Sequence, residues 1–390
     1  MKAVSLPVAY IPLVDAAPLI VAQELGFAEA EGLSLDLVAA PSWSSVRDML
    51  AFGRVDAAHL PSPVPVAMAL GIGGVTTAIS AVSVLSANGN VIGISRALES
   101  ALAASGYAFD FADAGAAGAA LARVAGPSLV IGVPFPFSMH VELLHVWRSA
   151  TPLADIGFEI RTIPPPLMAQ ALAAGEIDAF CVGEPWGSVS VERGSGALLL
   201  PGCAIWSFAP EKVLATRTDW AETEPHLLGR LMRAVWRAGR WLSHPESRTA
   251  AAELLSRRRW LGVPSEILDR ALSGHLTISP KGDVREVPGF VEFHRGAATF
   301  PWRSQARWIA EQLAGRAGLD KADAMTRAAA VFRSDLYRNA LQGTGAEMPG
   351  ASDKLEGSLS HRTAVASASG RLILERDRFF DGRIFDPFAD

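Results

Sequence analysis

The sequence predicts an α/β protein of two similar lobes, each a doubly wound mixed sheet with flanking helices. Three observations predict it. The 390 residues are 50% hydrophobic and only 19% charged, which is ample apolar material for packed cores. Strand-like and helix-like segments alternate as βαβ units. A short pattern then recurs at a fixed offset of 122 residues.

The first unit spans 8–38, with the strand VAYI, the loop PLVDAA, the helix PLIVAQELGFAEAEG and the strand LSLDLV. A second begins at LVIGV (129–133), passes through PFPFSM and a helix carrying HVELLHVWRSA, and returns in FEIRTI (158–163). Val133-Pro134 follows Ile11-Pro12 by 122 residues, and the same offset separates Gly53-Arg54-Val55-Asp56-Ala57 from Gly175-Glu176-Ile177-Asp178-Ala179. Each glycine is expected to end a helix in left-handed backbone, and each Val or Ile to start a short buried strand. In open sheets ligands sit beyond the carboxyl ends of the strands, where loops meet helix N-termini. Loops 12–18, 41–45, 60–65, 134–140 and 183–187 are therefore expected to face one cleft, with the ligand between the lobes. Two lobes closing over a small molecule describe a binding protein.

The expected organisation is lobe 1 over 1–85, lobe 2 over 86–206, a return to lobe 1 over 207–320, and a C-terminal extension, 321–390, packing on a lobe. Within the extension, the Gly-, Ser- and Ala-rich stretch 340–370 reads as a surface linker before the strand-like RLILERDRFF.

Composition narrows the function. The net charge is −5, and the basic residues are 30 Arg and five Lys, so no strongly basic chain exists to bind nucleic acid directly. Charge is uneven, at −4 over 1–85, −5 over 86–205 and +4 over 206–390. Arg230, Arg233, Arg237 and Arg240 recur at helical spacing, as either a solvated face or a surface for an acidic partner. Cys181 and Cys203 lie 22 apart without a CxxC, so buried free thiols are expected rather than zinc or a disulfide. Pro7, Pro12, Pro18 and Asp15 interrupt every apolar stretch of the N-terminus, so neither a leader nor a membrane span is expected, and a cytoplasmic location follows as an expectation. GxSxG, HExxH and GxxxxGK[ST] do not occur, and GIGG at 71–74 is not GxGxxG. The expectation is a binding protein, not an enzyme, with no cofactor and no metal.

Five residues are candidates for the cleft. Trp43 follows a strand and opens the helix-like SSVRDMLAF, where its indole can wall a planar ligand or pack the lobe. Asn90, in the turn-like Asn88-Gly89-Asn90 where the chain enters lobe 2, can donate an amide to an anion. His140 opens the second lobe's helix, so an imidazole sits beside backbone donors and the positive end of the helix dipole. Glu184, in Glu184-Pro185-Trp186, can orient the histidine or a lysine, since a carboxylate touching an anion would repel it. Lys212, near the return crossing, can supply the positive charge that a monovalent anion needs.

The strings IPLVDAAPLIVAQELGF, SWSSVRDMLAFGRVDAAH, NGN, IPPPLMAQALAAGEIDAFCVGEPW, APEKVLATRTDW and FDGRIFDP resemble the nitrate-binding and bicarbonate-binding solute receptors of bacterial ABC transporters. The resemblance implies the type II periplasmic-binding-protein fold. With no leader or membrane linker visible, it points to the family's cytoplasmic branch, the nitrate/nitrite sensors of the NasS type. Such a sensor is implied to hold an RNA-binding antiterminator of the NasT type inactive and to release it on binding nitrate or nitrite. A receptor for nitrate import is the alternative, and an enzyme on the same fold, such as a thiamine-precursor synthase, a more distant one. The family's pocket tryptophan matches Trp43, its histidine His140 and its PEK lysine Lys212. Where transport members have Gln in NGQ, this chain has Asn90, which retracts the amide by about one methylene.

Overall fold

The computed structural model describes residues 3–367 and 370–389. In chain order the strands are β1 (Val4–Tyr10), β2 (Leu33–Ala39), β3 (Ala57–Pro61), β4 (Ile79–Asn88), β5 (Asn90–Ser95), β6 (Ser128–Val133), β7 (Gly157–Thr162), β8 (Ala179–Gly183), β9 (Gly196–Pro201) and β10 (Pro210–Arg217). A ribbon of β11 (His275–Thr277) and β12 (Val284–Glu286) follows, then the short β13 (Val291–Glu292). Lobe 1 is a six-stranded sheet in the order β13-β4-β10-β3-β1-β2, and lobe 2 a five-stranded sheet in the order β7-β6-β8-β5-β9. In each, a parallel βαβ portion is joined by antiparallel strands that carry the chain between lobes. Both sheets are mixed.

The 122-residue repeat maps onto matching local structure. Helices Trp43–Ala51 and Met168–Ala173 are each followed by a left-handed glycine, Gly53 at φ 70° and Gly175 at φ 71°. Only glycine takes that backbone without strain against its own Cβ, so both helices stop there. Val55 and Ile177 are then buried, and β3 and β8 are buried at every residue, as strands covered on both faces are.

The chain passes between the two sheets at β4–β5 and at β9–β10, and one side chain ties these crossings to the segment before β13. Asn88, at φ 60°, donates its amide to Ser207 O at 2.8 Å and Gly289 O at 3.2 Å and accepts from Ala209 N–H at 3.0 Å. Asparagine tolerates this left-handed position where most residues do not. The C-terminal segment braces the second crossing. Phe379 stacks on Trp206 at 4.6 Å and on Trp308 of helix Arg303–Ala317 at 5.7 Å, and Phe380 N–H donates to Ile205 O at 2.9 Å. Arg316 at the end of that helix donates to the buried Glu142 of lobe 2 at 2.5 Å.

Two expectations change here. RLILERDRFF alternates in burial as a strand would, with Leu372 and Leu374 inside and Arg371 and Ile373 outside. Among the described residues its ladder pairing is limited to Ile373–Leu374 beside Thr363–Ala364, followed by one isolated bridge from Phe379 to Trp206. On helix Pro225–Leu242, Arg233 and Arg237 both reach Glu31 of lobe 1, at 2.8 and 2.5 Å, and Arg240 lies over Trp236. Much of that basic face is matched within the lobe. Of the predicted linker, Ala368 and Ser369 lie outside the described residues. Among the described residues, no helix is long and apolar enough to cross a membrane.

Replacing Asn88 by alanine leaves two carbonyls and one N–H without their partner at the junction of three segments. The expected cost is about 3 kcal/mol of unfolding free energy, read from the midpoint shift in urea at unchanged slope.

Candidate functional site

Charged and aromatic side chains converge between the lobes. Asp15 lies in the single turn Val14–Ala16 after β1, where its carboxylate is fixed before helix Ala17–Glu24 begins. Trp43 is the first residue of its helix, which starts there because Ser42 Oγ accepts Ser45 N–H at 3.2 Å. His59 projects from the centre of β3 and His140 from the first turn of helix Met139–Ser149. The latter helix has no side-chain cap, and the Ser138 hydroxyl donates to Phe135 O at 2.7 Å. Its first-turn N–H groups keep the positive end of the dipole beside His140.

Glu211 and Lys212 enter from β10, and their arrangement depends on an irregularity. Consecutive strand residues ordinarily point to opposite faces. Opposite β4, Pro210 pairs with Ala87 and Lys212 with Ser86, so Glu211 is an extra residue, a β-bulge. The bulge brings both side chains to one place, and Lys212 Nζ donates to Glu211 Oε1 at 2.6 Å. Ser62 holds the loop of β3 against it, donating N–H to Glu211 O at 3.1 Å and Oγ to Pro210 O at 2.6 Å.

The cluster is a charge network closed off from solvent. Lys212 is 0% exposed, with Asp15 Oδ2 at 2.9 Å, Glu211 Oε1 at 2.6 Å and the Trp43 ring centre at 5.4 Å. Asp15 Oδ1 is 3.0 Å from His59 Nε2, and the His59 ring meets Trp43 edge-on at 5.1 Å. Asn90 Nδ2 donates to Glu211 Oε2 at 2.6 Å, and His140 Nε2 lies 3.4 Å from Glu211 Oε1. Gly202 permits the approach, since a Cβ there would fall 2.0 Å from Asn90 Oδ1. Among the described residues of the cluster, Trp43 Nε1, both ring nitrogens of His59 and of His140, and both Asp15 oxygens make no hydrogen bond, the Asp15 oxygens lying within ion-pair distance of Lys212 and His59. The indole N–H and an imidazole N–H are donors only an additional acceptor can satisfy.

Burial and charge act in opposition on these groups. Burial alone would raise the Asp15 carboxyl, but Lys212 and His59 outweigh it and hold it below the usual range. Burial would lower the Lys212 ammonium, and Asp15 with Glu211 more than offsets it, keeping the lysine charged. Burial dominates at the histidines: His140 is pushed down to about 4, with Glu211 opposing only in part, and His59 is lowered likewise.

Of the five sequence candidates, the structure brings together Trp43, Asn90, His140 and Lys212. Asn90 serves Glu211 with its amide. Glu184 departs from its expected role, for it orients neither His140 nor Lys212. Its carboxylate, just ahead of helix Trp186–Glu192, accepts Ser188 N–H of that helix's first turn at 3.2 Å, while its backbone oxygen accepts Val14 N–H across the cleft at 2.8 Å. Glu211 fills that orienting place. Asp15, His59 and Glu211 were not singled out by sequence, although Asp15 lies in a loop assigned to the cleft and Glu211 adjoins Lys212. Trp186 Nε1 closes the lobes further, donating to Pro12 O at 3.1 Å. His145 lies outside the cluster. Among the described residues no His, Cys, Asp and Glu group has the arrangement to hold a metal ion.

A separate cavity of about 690 Å³ beside the hinge is lined by Phe111, Phe208, Arg248, Arg295 and Arg362, among others. Glu292 and Glu375 match two of its arginines, at 2.8 and 3.2 Å.

Residues 1–256 match the profile of the NMT1-like family. The chain belongs to the NMT1-like family. This family member is 29% identical over 391 residues to the nitrate/nitrite binding protein NrtA of Synechocystis sp., covering 97% of this chain and 81% of that one. It is 32% identical over 325 residues to the nitrate import ATP-binding protein NrtC of the same organism, and 33% identical over 317 residues to the bicarbonate transport ATP-binding protein CmpC of Synechococcus elongatus. Each of those matches covers 80% of this chain, which spans about half of those two relatives, 46% and 45%. Among solved structures, the periplasmic nitrate-binding protein NrtA from Synechocystis PCC 6803 superposes with a TM-score of 0.82 at 26% identity, covering 99% of this chain and 96% of that one. The alkanesulfonate-binding protein SsuA of Xanthomonas axonopodis pv. citri shares the fold, at a TM-score of 0.53 and 16% identity. The NMT1-like chain thus has the type II periplasmic-binding-protein fold.

Glu184 offers a stability test separate from ligand binding. Burial raises its carboxyl to about 7, with the Ser188 N–H opposing. A raised folded value stabilises below the unfolded pKa and is lost as pH rises through the folded one, here between about 4.5 and 7. Glu184→Gln removes that loss. Between pH 4 and 8 the variant is expected to gain on the order of 3 kcal/mol relative to the parent, measured by urea unfolding at each pH.

Proposed function

We propose that this chain is a binding protein for nitrate or nitrite, serving as the solute receptor of an ABC-type import system. The observation that carries the reading is the pair of unpartnered buried donors, Trp43 Nε1 and His140, beside the Lys212 ammonium between two lobes. A small planar oxyanion offers acceptor oxygens to an indole N–H and an imidazole N–H and presents its charge to Lys212 and to the positive end of helix Met139–Ser149. The similarity to NrtA over nearly the whole chain supports the same ligand class.

The closed lobes supply the affinity. Contacts across the cleft, Val14 to Glu184 and Trp186 to Pro12, form only when the lobes meet, so an anion touching both lobes favours that state by its differential affinity. The related NrtA, NrtC and CmpC proteins are named for transport and binding, which supports the receptor role over the cytoplasmic, antiterminator-holding sensor that the sequence resemblance implies.

Calorimetric titration with nitrate, nitrite, bicarbonate and chloride tests the ligand. Roughly micromolar nitrate or nitrite binding is expected, weakened about 100-fold or more by Lys212→Ala and clearly reduced by His140→Ala. Folded protein that binds neither nitrogen oxyanion overturns the reading. Co-expression with a NasT-type antiterminator separates the roles: the receptor predicts no association, whereas a complex that nitrate dissociates establishes the sensor.

A further inference from the structure

Charge balance in the cluster departs from what an anion site needs. One ammonium, Lys212, faces two carboxylates, Asp15 and Glu211, at 2.9 and 2.6 Å, so the lysine is already more than matched by this chain. The other groups around it add no compensating charge: His59 from β3 and His140 are held neutral by burial, and burial keeps the Cys181 thiol of β8 protonated. On the helix of His140, Glu142 is matched by Arg316 and His145 is also held neutral by burial. With neutral histidines the cluster carries one surplus negative charge, enclosed by residues at most 3% exposed.

Resting on the nitrate reading above, we infer that Asp15 and Glu211 are specificity-determining residues which admit a monovalent oxyanion only together with one proton and reject dianions. A nitrate entering alone would raise the surplus to two in a site without solvent to screen it. One proton taken up on binding restores the original balance. A divalent anion such as sulfate would need a second proton for the same balance, which would put a charge on the buried His59 beside Asp15 as well as on His140.

His140 is the place for the proton. Both its ring nitrogens lack a hydrogen-bond partner, and Nε2 lies 3.4 Å from Glu211 Oε1, so an imidazolium there faces a carboxylate on one side and has a second N–H for the anion. Without an anion, burial holds this histidine near 4 against the pull of Glu211, with Lys212 lowering it and Asp15 raising it. A negative charge beside the ring raises it, so at neutral pH the proton arrives with the ligand. By linkage, uptake of one proton makes the dissociation constant rise tenfold for each unit of rising pH.

The experiment is calorimetric titration of the full chain with sodium nitrate at pH 7.5 in phosphate, HEPES and Tris, whose ionisation enthalpies differ, repeated from pH 6.5 to 8.5. About one proton taken up per nitrate is expected, with roughly tenfold weaker binding per pH unit and no binding of sulfate. Glu211→Gln is expected to abolish the uptake and flatten the pH profile, and Asp15→Asn provides the same removal of one charge if the first variant does not fold. Nitrate binding by the parent protein that is independent of buffer and pH overturns the inference while leaving the receptor reading intact. Folded protein that binds nitrate at no pH overturns the receptor reading itself, and this inference with it.

Discussion

The buried ammonium of Lys212 is the interaction on which the arrangement between the lobes depends. A lysine with no exposed surface is tolerated only when its charge is matched and its donors are satisfied. Asp15 and Glu211 do both, and in doing so they fix two otherwise independent segments: the turn after β1 and the bulged start of β10. The remaining contacts follow from those anchors. Asp15 also meets His59, Glu211 also takes the Asn90 amide, and Trp43 covers the lysine with an aromatic face. Glu211 is the joint between lobes, since its partners Asn90 and His140 both belong to lobe 2.

That joint exists because β10 breaks the two-residue period of a strand. Had the strand continued regularly, Glu211 and Lys212 would face opposite sides of the sheet and the lysine would lose its nearest carboxylate. A sequence pattern has no mark for a bulge of this kind, which is why Lys212 was legible as a candidate and the adjoining Glu211 was not. Asp15 was visible only as an interruption of an apolar stretch within a loop assigned to the cleft, and His59 only as the end of DAAH, because each acquires its role from a partner distant in the chain. The reverse error at Glu184 has the same origin. Its position beyond the second repeat strand was right, but the N–H that satisfies it belongs to its own following helix.

The fold was more legible than the site because it rests on local rules. A left-handed glycine ending a helix and a short apolar strand after it are encoded within five residues, and the 122-residue repeat of that unit exposes the two lobes. The C-terminal segment shows the limit. RLILERDRFF carries a strand-like alternation, yet a strand needs a continuous neighbour, and among the described residues the segment has one at Ile373–Leu374 and then a single bridge at Phe379.

The hinge and the site share one stretch of chain, and this has a mechanical consequence. Asn88 pins both crossings and the segment before β13 through its side chain, while Asn90, two residues on, holds Glu211. Rotation of lobe 2 about the crossings therefore moves Asn90 and His140 relative to the Asp15–Lys212 pair, which stays with lobe 1. A glutamine at position 90 would reach one methylene further; the shorter asparagine reaches Glu211 only because Gly202 lets the strands approach. The shortened side chain thus ties site geometry to lobe angle more tightly, since the Asn90–Glu211 bond has little slack to give before it parts. Lobe opening and exposure of the Lys212 cluster are in this way one event, and a ligand that stabilises the cluster acts directly on the hinge.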